Sequence, residues 1–346
     1  MVSAKFRVTG DFGAAFTDMY ERGFTDGLPV IPPTESAVLA MLDAAGIQPD
    51  ALLAVVPPEG GPATAEKVAI NAVMAGCLPE YFPVVIAAMR AITDPKFNLL
   101  GVQTTTNPVG PVLIINGPVR KQLDINSGRG CLGPGRRANA TIGRAIRLCM
   151  LNIGGCPPGD VDKAIHGMPG KLTFCFGEAE EESPWDPLHV ENGYAREQST
   201  VTAVAGQGTQ NIYAAFLDPL DVVTMVADAM ACYGNNGYLR ALGNPLVIFS
   251  PGHATLFADA GWSKQRIRGE LFERTKVPRK RIPRTAQLSK PIYTDYADDE
   301  MCLLCPDADS ILIVVAGGPE AYHVTYVPNF GTTLYSMAEI KSRVTQ

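Results

Sequence analysis

Apolar positions along the chain fall into short runs separated by helical repeats, and this alternation predicts an α/β protein. Compact apolar runs predict core strands at residues 52–56, 112–115, 172–176, 200–205, 246–249 and 311–315. Apolar residues spaced three and four apart predict helices at 12–22, 35–45, 65–75, 80–92, 138–150, 220–232, 253–260 and 264–276. The apolar stretch at 98–104 predicts a further strand.

Two parts of this pattern resemble each other. The strands at 112–115 and 246–249 both end in a small polar residue and a Gly/Pro turn. Each follows a strand, a turn and a helix ending in cysteine, at 52–77 in the first copy and 200–232 in the second. We therefore predict two related α/β halves, 1–195 and 196–346, that arose by internal duplication; chance similarity is the alternative. Because α/β proteins bind ligands at the carboxyl ends of strands, we expect the strand-end loops to form a central crevice.

Composition narrows the classes of function. A chain of 346 residues with 46% hydrophobic and 18% charged residues fits two domains or one large unit, with an extensive core and a homo-oligomer interface. The net charge of −6 argues against nucleic-acid or anionic-membrane partners. No apolar run reaches the roughly 18 residues that span a bilayer. The start, MVSAKFRVTGDFGAAF, lacks the apolar region of a secretory signal, so we expect a cytoplasmic protein with reduced cysteines.

A glycine-rich loop at 123–136 leads into the helix predicted at 138–150. Its glycines let the backbone approach a ligand, and the unpaired N–H groups at a helix start favour an anion. No Gly-Lys-Ser/Thr follows, so the loop is not a P-loop. The alternative is a tight connection with solvated arginines. We predict that a small anionic organic substrate is bound by Ser127, Gly133, Arg136, Arg137, Asn139 and Trp185.

Carboxylates and histidines supply candidates for acid–base catalysis. Glu178 and Glu180 follow the strand at 172–176 and lie on one side if that strand continues. Two such carboxylates can divide into acid and base, or can bind a divalent metal ion together with His189. A solvated acidic loop is the alternative. His253 follows a strand-end turn at a helix start, a position that favours a neutral imidazole acting as a base.

The cysteines offer a different chemistry. Cys131 lies inside the glycine-rich loop, where N–H groups and arginines would stabilise a catalytic thiolate. Cys302 and Cys305 form a CxxC motif, which predicts a redox pair or half of a metal site. No second CxxC motif is present in the sequence.

Six stretches of the chain stand out as motifs: DGLPVIPPT (26–34), AINAVMAGC (69–77), GPGRRANATIGRA (133–145), EEESPWDPLHVE (180–191), GWSK (261–264) and VAGGP (315–319). In these motifs the chain resembles the bacterial UGSC family, named after a selenocysteine- or cysteine-containing motif of some members. The resemblance implies a shared site that includes Glu180, His189, Asn139 and the loop before it, and it names no substrate. This chain lacks a Cys-Gly-Ser-Cys motif, so the resemblance does not imply the thiol chemistry.

These observations together predict an enzyme acting on a small anionic or carbonyl-bearing metabolite by acid–base chemistry. Hydrolase and lyase or hydratase reactions both fit, and assistance by a divalent metal ion is an open variant. One alternative is a thiol-redox or metal-binding protein that uses Cys302, Cys305 and Cys131. Another is a non-catalytic subunit that completes a partner's active site.

Overall fold

The computed structural model describes residues 3–8, 10–285, 292–331 and 333–341. Its strands are β1 (Leu52–Val56), β2 (Gly61–Thr64), β3 (Gly110–Asn116), β4 (Cys175–Gly177), β5 (Thr200–Gly206), β6 (Gln210–Tyr213), β7 (Leu246–Phe249), β8 (Val277–Pro278), β9 (Met301–Cys302), β10 (Leu312–Val315), β11 (His323–Val327) and β12 (Ser336–Glu339). Its α-helices are α1 (Phe12–Glu21), α2 (Glu35–Ala45), α3 (Ala65–Ala75), α4 (Phe82–Ile92), α5 (Leu99–Thr104), α6 (Val119–Gln122), α7 (Arg137–Asn152), α8 (Leu188–Glu191), α9 (Pro219–Met230), α10 (Gly237–Arg240), α11 (Pro251–Asp259) and α12 (Lys264–Arg274). The α/β class is thereby confirmed.

Helices begin where capping side chains satisfy their first N–H groups. Thr34 Oγ1 accepts the Ala37 N–H at 3.3 Å at the start of α2. Ser263 Oγ accepts the Arg266 N–H at 3.2 Å at the start of α12. Each cap pairs a donor that the helix itself leaves unpaired. Among the described helices none is both long and apolar enough to cross a membrane.

Two four-stranded mixed sheets form the centre of the molecule. The first has the order β12-β5-β3-β4 and the second the order β10-β7-β11-β6. Alternate residues of β3, including Val112 and Ile114, pack in one apolar cluster with Ile248 of β7 and Val314 of β10. Because side chains alternate across a strand, this shared cluster shows that the two sheets stack face to face.

The outer face of each sheet is covered by helices. Leu113 and Ile115 of β3 belong to a core cluster formed with α3, α4 and α7. Val247 and Phe249 of β7 belong to another cluster, formed with α9 and α12. The fold is therefore four layers, helices–sheet–sheet–helices, and strands β5, β7 and β10 are buried along their whole length.

The two sheets share a pattern of neighbours. In each, a central strand has one parallel partner, β4 beside β3 and β10 beside β7. Its other neighbour is antiparallel, β5 beside β3 and β11 beside β7. The last strand of each sheet pairs antiparallel with that neighbour, β12 with β5 and β6 with β11. This shared topology is what an internal duplication would leave, and the duplication itself stays a prediction.

The detailed pairing of the two halves is wrong in one respect. The strand β1 (residues 52–56) pairs with β2 in a separate hairpin. Its predicted counterpart in the second half, β5, lies inside the first four-stranded sheet. That sheet takes β5 and β12 from beyond the boundary predicted at 195, so the boundary runs between strands of one sheet.

The strand predicted at 98–104 is the helix α5. Asn98 Oδ1 accepts the Gly101 N–H at 3.2 Å and so caps this helix. Leu99, Val102 and Gln103 are its buried residues. Their spacing is that of one helical face, which a short apolar run does not distinguish from a strand.

Candidate functional site

A polar cluster lies where β3 and β4 end. Asn116, the last residue of β3, and Glu178, which follows β4, continue the inward-facing rows of Ile114 and Phe176. Thr200 of β5 lies opposite Asn116. The apolar space between the sheets therefore ends in polar side chains. We call Asn116, Arg120, Glu178, Glu180, His189 and Lys264 the strand-end cluster; all six are buried.

One amide joins the two carboxylates of the strand-end cluster. Asn116 Nδ2 donates to Glu178 Oε2 at 2.7 Å and to Glu180 Oε1 at 3.0 Å. The Leu188 N–H also donates to Glu178 Oε2, at 2.9 Å, and the Gly117 N–H donates to Glu180 Oε1 at 2.7 Å. The structure thus brings Glu178 and Glu180 together, and it uses their Oε2 and Oε1 atoms, respectively, as acceptors.

Arg120 neutralises charge on one side of the cluster. Its Nη2 lies 3.0 Å from Glu180 Oε2 and 3.0 Å from Glu181 Oε1. Desolvation opposes ionisation of Glu181, but hydrogen bonds from Arg120 and Lys121 lower the pKa of that carboxyl to about 2. Arg120 is therefore engaged by two carboxyl groups, those of Glu180 and Glu181.

Lys264 neutralises charge on the other side of the strand-end cluster, next to Glu191. Its Nζ donates to Asp186 O at 2.7 Å and to Glu191 Oε2 at 3.1 Å. It lies 3.8 Å from Glu178 Oε1, which is an ion-pair distance but too long for a hydrogen bond. Arg268 Nη2 also reaches Glu191 Oε2, at 3.0 Å. Lys264 thus joins the start of α12 to the segment before α8.

His189 is fully buried in α8 beside these carboxylates. Its Nδ1 lies 3.9 Å from Glu180 Oε1, beyond hydrogen-bond distance. Ten buried side-chain nitrogen or oxygen atoms of the described residues lack a hydrogen-bond partner. Six of them lie here, on His189 (both ring nitrogens), Asn116 (Oδ1), Glu178 (Oε1), Thr200 and Thr202 (Oγ1). Buried polar atoms are normally paired, so this concentration needs an explanation.

Burial raises the pKa of Glu178, while Lys264 and the hydrogen bonds from Leu188 and Asn116 oppose the shift. Because Oε2 already accepts two hydrogen bonds, Oε1 is the oxygen left to carry the proton. A protonated carboxyl group can donate its proton, and the ring nitrogens of a histidine can exchange protons with a neighbour. The structure therefore places a carboxyl group and an imidazole in one buried space.

The residues do not fit the divalent metal ion predicted for Glu178, Glu180 and His189. Arg120 occupies Glu180 Oε2, and two N–H donors occupy Glu180 Oε1. Within the described part of the chain, no three His, Cys, Asp or Glu side chains are arranged to hold a metal ion. We accordingly assign no step to a metal.

His253, predicted as a catalytic base, has both ring nitrogens engaged by the protein. Nδ1 lies 2.8 Å from Ser250 Oγ and Nε2 lies 3.0 Å from Ala214 O. Burial lowers the pKa of His253, so the ring is held neutral as expected. These contacts join α11 to the end of β6, which is a structural role.

The glycine-rich loop is fastened by the protein's own groups. Asn139 Oδ1 accepts the Asn126 N–H at 2.8 Å, and its Nδ2 donates to Asn126 O and Cys131 O. The Gly133 N–H donates to Gly130 O at 2.8 Å. Asn139 and Gly133, predicted to bind substrate, therefore shape the loop.

The two loop arginines pair with groups outside the strand-end cluster. Arg136 Nη1 pairs with Asp124 at 2.9 Å, and Arg137 Nε donates to Gly76 O at 3.0 Å. Both side chains are exposed. Ser127 does border the cluster, because a Cβ built on Gly177 would lie 3.3 Å from Ser127 Cβ.

The loops after β4 and β10 meet directly. The Ala179 N–H donates to Val315 O at 2.7 Å, and the Gly317 N–H donates to Ser127 O at 2.9 Å. The indole of Trp185 closes the same side, since Nε1 donates to Trp262 O at 3.2 Å. The crevice expected between these loops stays a prediction.

The thiolate predicted at Cys131 is not favoured. The side chain is buried, and burial raises its pKa to about 11, which outweighs the nearby N–H groups. Cys302 and Cys305 are also buried and unpaired, and burial raises the pKa of both, for Cys305 to about 12. Neither set has the exposed, electropositive setting of a reactive thiol.

Asn116, Arg120, Lys264 and the two threonines were not predicted as site residues. Asn116 carried a usable signal, because it ends a core strand beside a Gly/Pro turn. Arg120 and Lys264 reach the cluster only through the tertiary fold. Comparison of the chain with models of protein families, with curated proteins and with solved structures finds no match.

Proposed function

We propose that the strand-end cluster is the active site of an enzyme that performs acid–base chemistry on a small, uncharged carbonyl compound. The observation that carries the proposal is the group of buried, unpaired polar atoms that includes both ring nitrogens of His189. A bound molecule with a carbonyl oxygen and a hydroxyl or acidic C–H would pair these atoms. Hydrolysis, hydration and elimination all fit this arrangement.

In the proposed reaction Glu178 Oε1 donates its proton to the carbonyl oxygen as negative charge develops there. A ring nitrogen of His189 removes a proton from the adjacent carbon or from water. The resulting imidazolium lies beside Glu180, whose carboxylate is 3.9 Å from Nδ1 and stabilises the positive charge. Asn116 holds Glu178 and Glu180 at fixed positions through its amide.

The charge balance favours an uncharged substrate over the anionic one that the sequence predicts. Arg120 is paired with Glu180 and Glu181, and Lys264 with Glu191. An added carboxylate would lie beside the carboxyl group of Glu180 without a cation to spare among these groups. Burying such a charge unpaired is strongly unfavourable.

Substrate must enter by movement of the segment around α8, because the cluster is buried. Among the contacts that hold that segment, and that must break when it moves, are those of Lys264 Nζ with Asp186 O and of Tyr335 Oη with Asn192 Oδ1 at 2.6 Å. We propose that α8 opens and closes over the site and so excludes water during the reaction.

The family resemblance points to the same place. Two of the motifs supply cluster residues: EEESPWDPLHVE contains Glu180 and His189, and GWSK contains Lys264. Motifs distant in sequence therefore meet in one buried cluster, which supports our proposal that the chain is related to the UGSC family and shares a site with it.

Hydrogen–deuterium exchange tests the chemistry without knowledge of the substrate. Small uncharged aldehydes, ketones and esters are incubated with the protein in D₂O, and loss of the α-proton signal is followed by NMR. We expect at least one compound to exchange faster with the wild type. Glu178→Gln and His189→Asn should each slow that exchange by about 10²–10⁴-fold, the usual contribution of a general acid or base.

Glu182→Gln is the matched control, because this exposed carboxyl lies in the same segment outside the cluster. It should exchange the compound at the wild-type rate. Wild-type rates in Glu178→Gln and His189→Asn would contradict the assignment. Exchange that appears only with a copurified protein would favour a subunit that completes a partner's site.

A further inference from the structure

A cavity lies in the outer helical layer, and none of its lining residues belongs to the strand-end cluster. It has a volume of about 670 Å³ and is enclosed by the N-terminal arm (residues 3–8), α1, α2, α3 and the end of α7. Met19, Val38, Ile70, Met74 and Ile153 form its apolar wall. Cavities of roughly 300–1,000 Å³ with mainly apolar walls are typical of small-molecule sites.

The arm is fastened over this cavity at three points. The Ser3 N–H donates to Glu66 Oε1 at 3.0 Å, and Lys5 Nζ pairs with Glu35 Oε2 at 2.6 Å. The guanidinium of Arg22 lies 4.5 Å from the ring centroid of Phe6. The arm therefore forms a wall of the cavity. Breaking these three contacts would free it from the helices.

The charges around the cavity cancel. Its charged lining residues are two cations, Lys5 and Lys67, and two carboxylates, Glu35 and Glu66. Lys5 and Glu35 already pair with each other. A charged ligand would gain no net attraction and would lose hydration against the apolar wall, so the lining selects an uncharged molecule.

Asn152 offers a polar atom that can orient such a ligand. Asn152 lines the cavity, and its Nδ2 donates to Phe24 O at 3.0 Å and to Asn71 Oδ1 at 2.7 Å. Its Oδ1 accepts no hydrogen bond that the structure records for the described residues. A ligand hydroxyl would supply the missing donor.

From these features we propose that the cavity binds an uncharged, mainly apolar molecule carrying one hydroxyl group, of the class of medium-chain alcohols. Its apolar body packs on Met19 and Met74, and its hydroxyl donates to Asn152 Oδ1. This site is independent of the proposed acid–base chemistry.

Methionine-methyl NMR of the full chain, labelled with ¹³C, tests the proposal with 1-octanol as the probe. The Met19 and Met74 signals, assigned by single Met→Leu variants, should shift saturably while methionines elsewhere stay unchanged. Octanoate and octylamine should bind at least tenfold more weakly, because each brings a charge to the apolar wall. Ile70→Trp should fill the cavity and weaken octanol binding at least tenfold.

Leu217→Trp is the control, since Leu217 is 93% exposed and lies outside the cavity. Unchanged Met19 and Met74 signals, equal shifts at all methionines, or equal binding of octanoate would each overturn the proposal. The wild-type titration decides the matter even if Ile70→Trp does not fold. Carbonyl exchange at the strand-end cluster should be unaffected by octanol, so the two proposals fail separately.

Discussion

Replacing Lys264 by methionine removes one buried charge while keeping a side chain of similar length. The Lys264 side chain is only 4% exposed and pairs with Glu191, 23% exposed, at 3.1 Å. Loss of its amino group also leaves Asp186 O without its donor and Glu178 without its nearest cation. The substitution therefore tests whether the ion pairs of the cluster act together in holding the site.

The expected magnitude follows from the geometry. Removing one partner of a buried ion pair destabilises a protein by about 3–5 kcal/mol. Glu191 keeps Arg268 at 3.0 Å, so we expect the lower end, about 3 kcal/mol. With an unfolding entropy of roughly 2.1 cal/mol/K per residue, a chain of 346 residues should lose about 4 °C in Tm.

Calorimetry measures this change directly, and Lys163→Met is the matched control. Lys163 is exposed and its Nζ makes a long contact, 3.4 Å, with Gly159 O. The control should stay within about 0.5 kcal/mol of the wild type. If Lys264→Met has the same Tm as the control, the contacts of Lys264 do not stabilise the protein, and the role assigned to this residue is wrong.

Three further predictions concern titration and reactivity. The infrared band of a protonated carboxyl, assigned by difference from Glu178→Gln, should persist above the ordinary glutamate pKa of 4.5; its loss by that pH would contradict the raised pKa. Because the pKa of His253 is lowered in the folded chain, the unfolded chain binds a proton at a pH where the folded chain does not. The free energy of unfolding should therefore fall as the pH drops through 6.5. In urea unfolding, His253→Gln should show a weaker dependence of stability on pH. A disulfide reagent should modify the exposed Cys232 first and the buried Cys131 slowly, so Cys232→Ser should lack the fast phase; a fast phase that persists would place a reactive thiol elsewhere.

The fold was predictable wherever the sequence pattern was strong and local. All six compact apolar runs contribute strands, because β-branched residues between turns have few other solutions. Strands β6, β11 and β12 were missed, since each is short and mixes polar with apolar residues. Their pairing is decided by contacts with strands far along the chain. The helix α5 was predicted as a strand because the cap at Asn98, which starts the helix, was not recognised.

The site residues that are close together in the sequence were predictable, and their distant partners were not. Strand alternation pointed to Glu178 and Glu180, and His189 was noticed as a histidine in the same short segment. Their partners Arg120 and Lys264 come from α6 and α12, and no local spacing joins those helices to β4. Arg136 and Arg137 had the right charge for a ligand, but nearer partners satisfy them in the folded chain.

Variants of Thr200 and Thr202 distinguish a ligand-binding role of their hydroxyl groups from a purely structural one. Their buried hydroxyls lack partners in the described part of the chain, and an unsatisfied buried polar group costs about 1–3 kcal/mol. Valine has nearly the same shape, so Thr200→Val and Thr202→Val should each unfold at a higher urea concentration than the wild type. If the hydroxyls contact the substrate, the same variants should slow carbonyl exchange, which is the trade-off expected where stability is sacrificed for activity. Thr224→Val is the control, because it removes a hydroxyl that donates to Leu220 O at 2.7 Å. Lower stability of both cluster variants would show that their hydroxyls are already paired within the protein, and the case for a ligand at this point would fail.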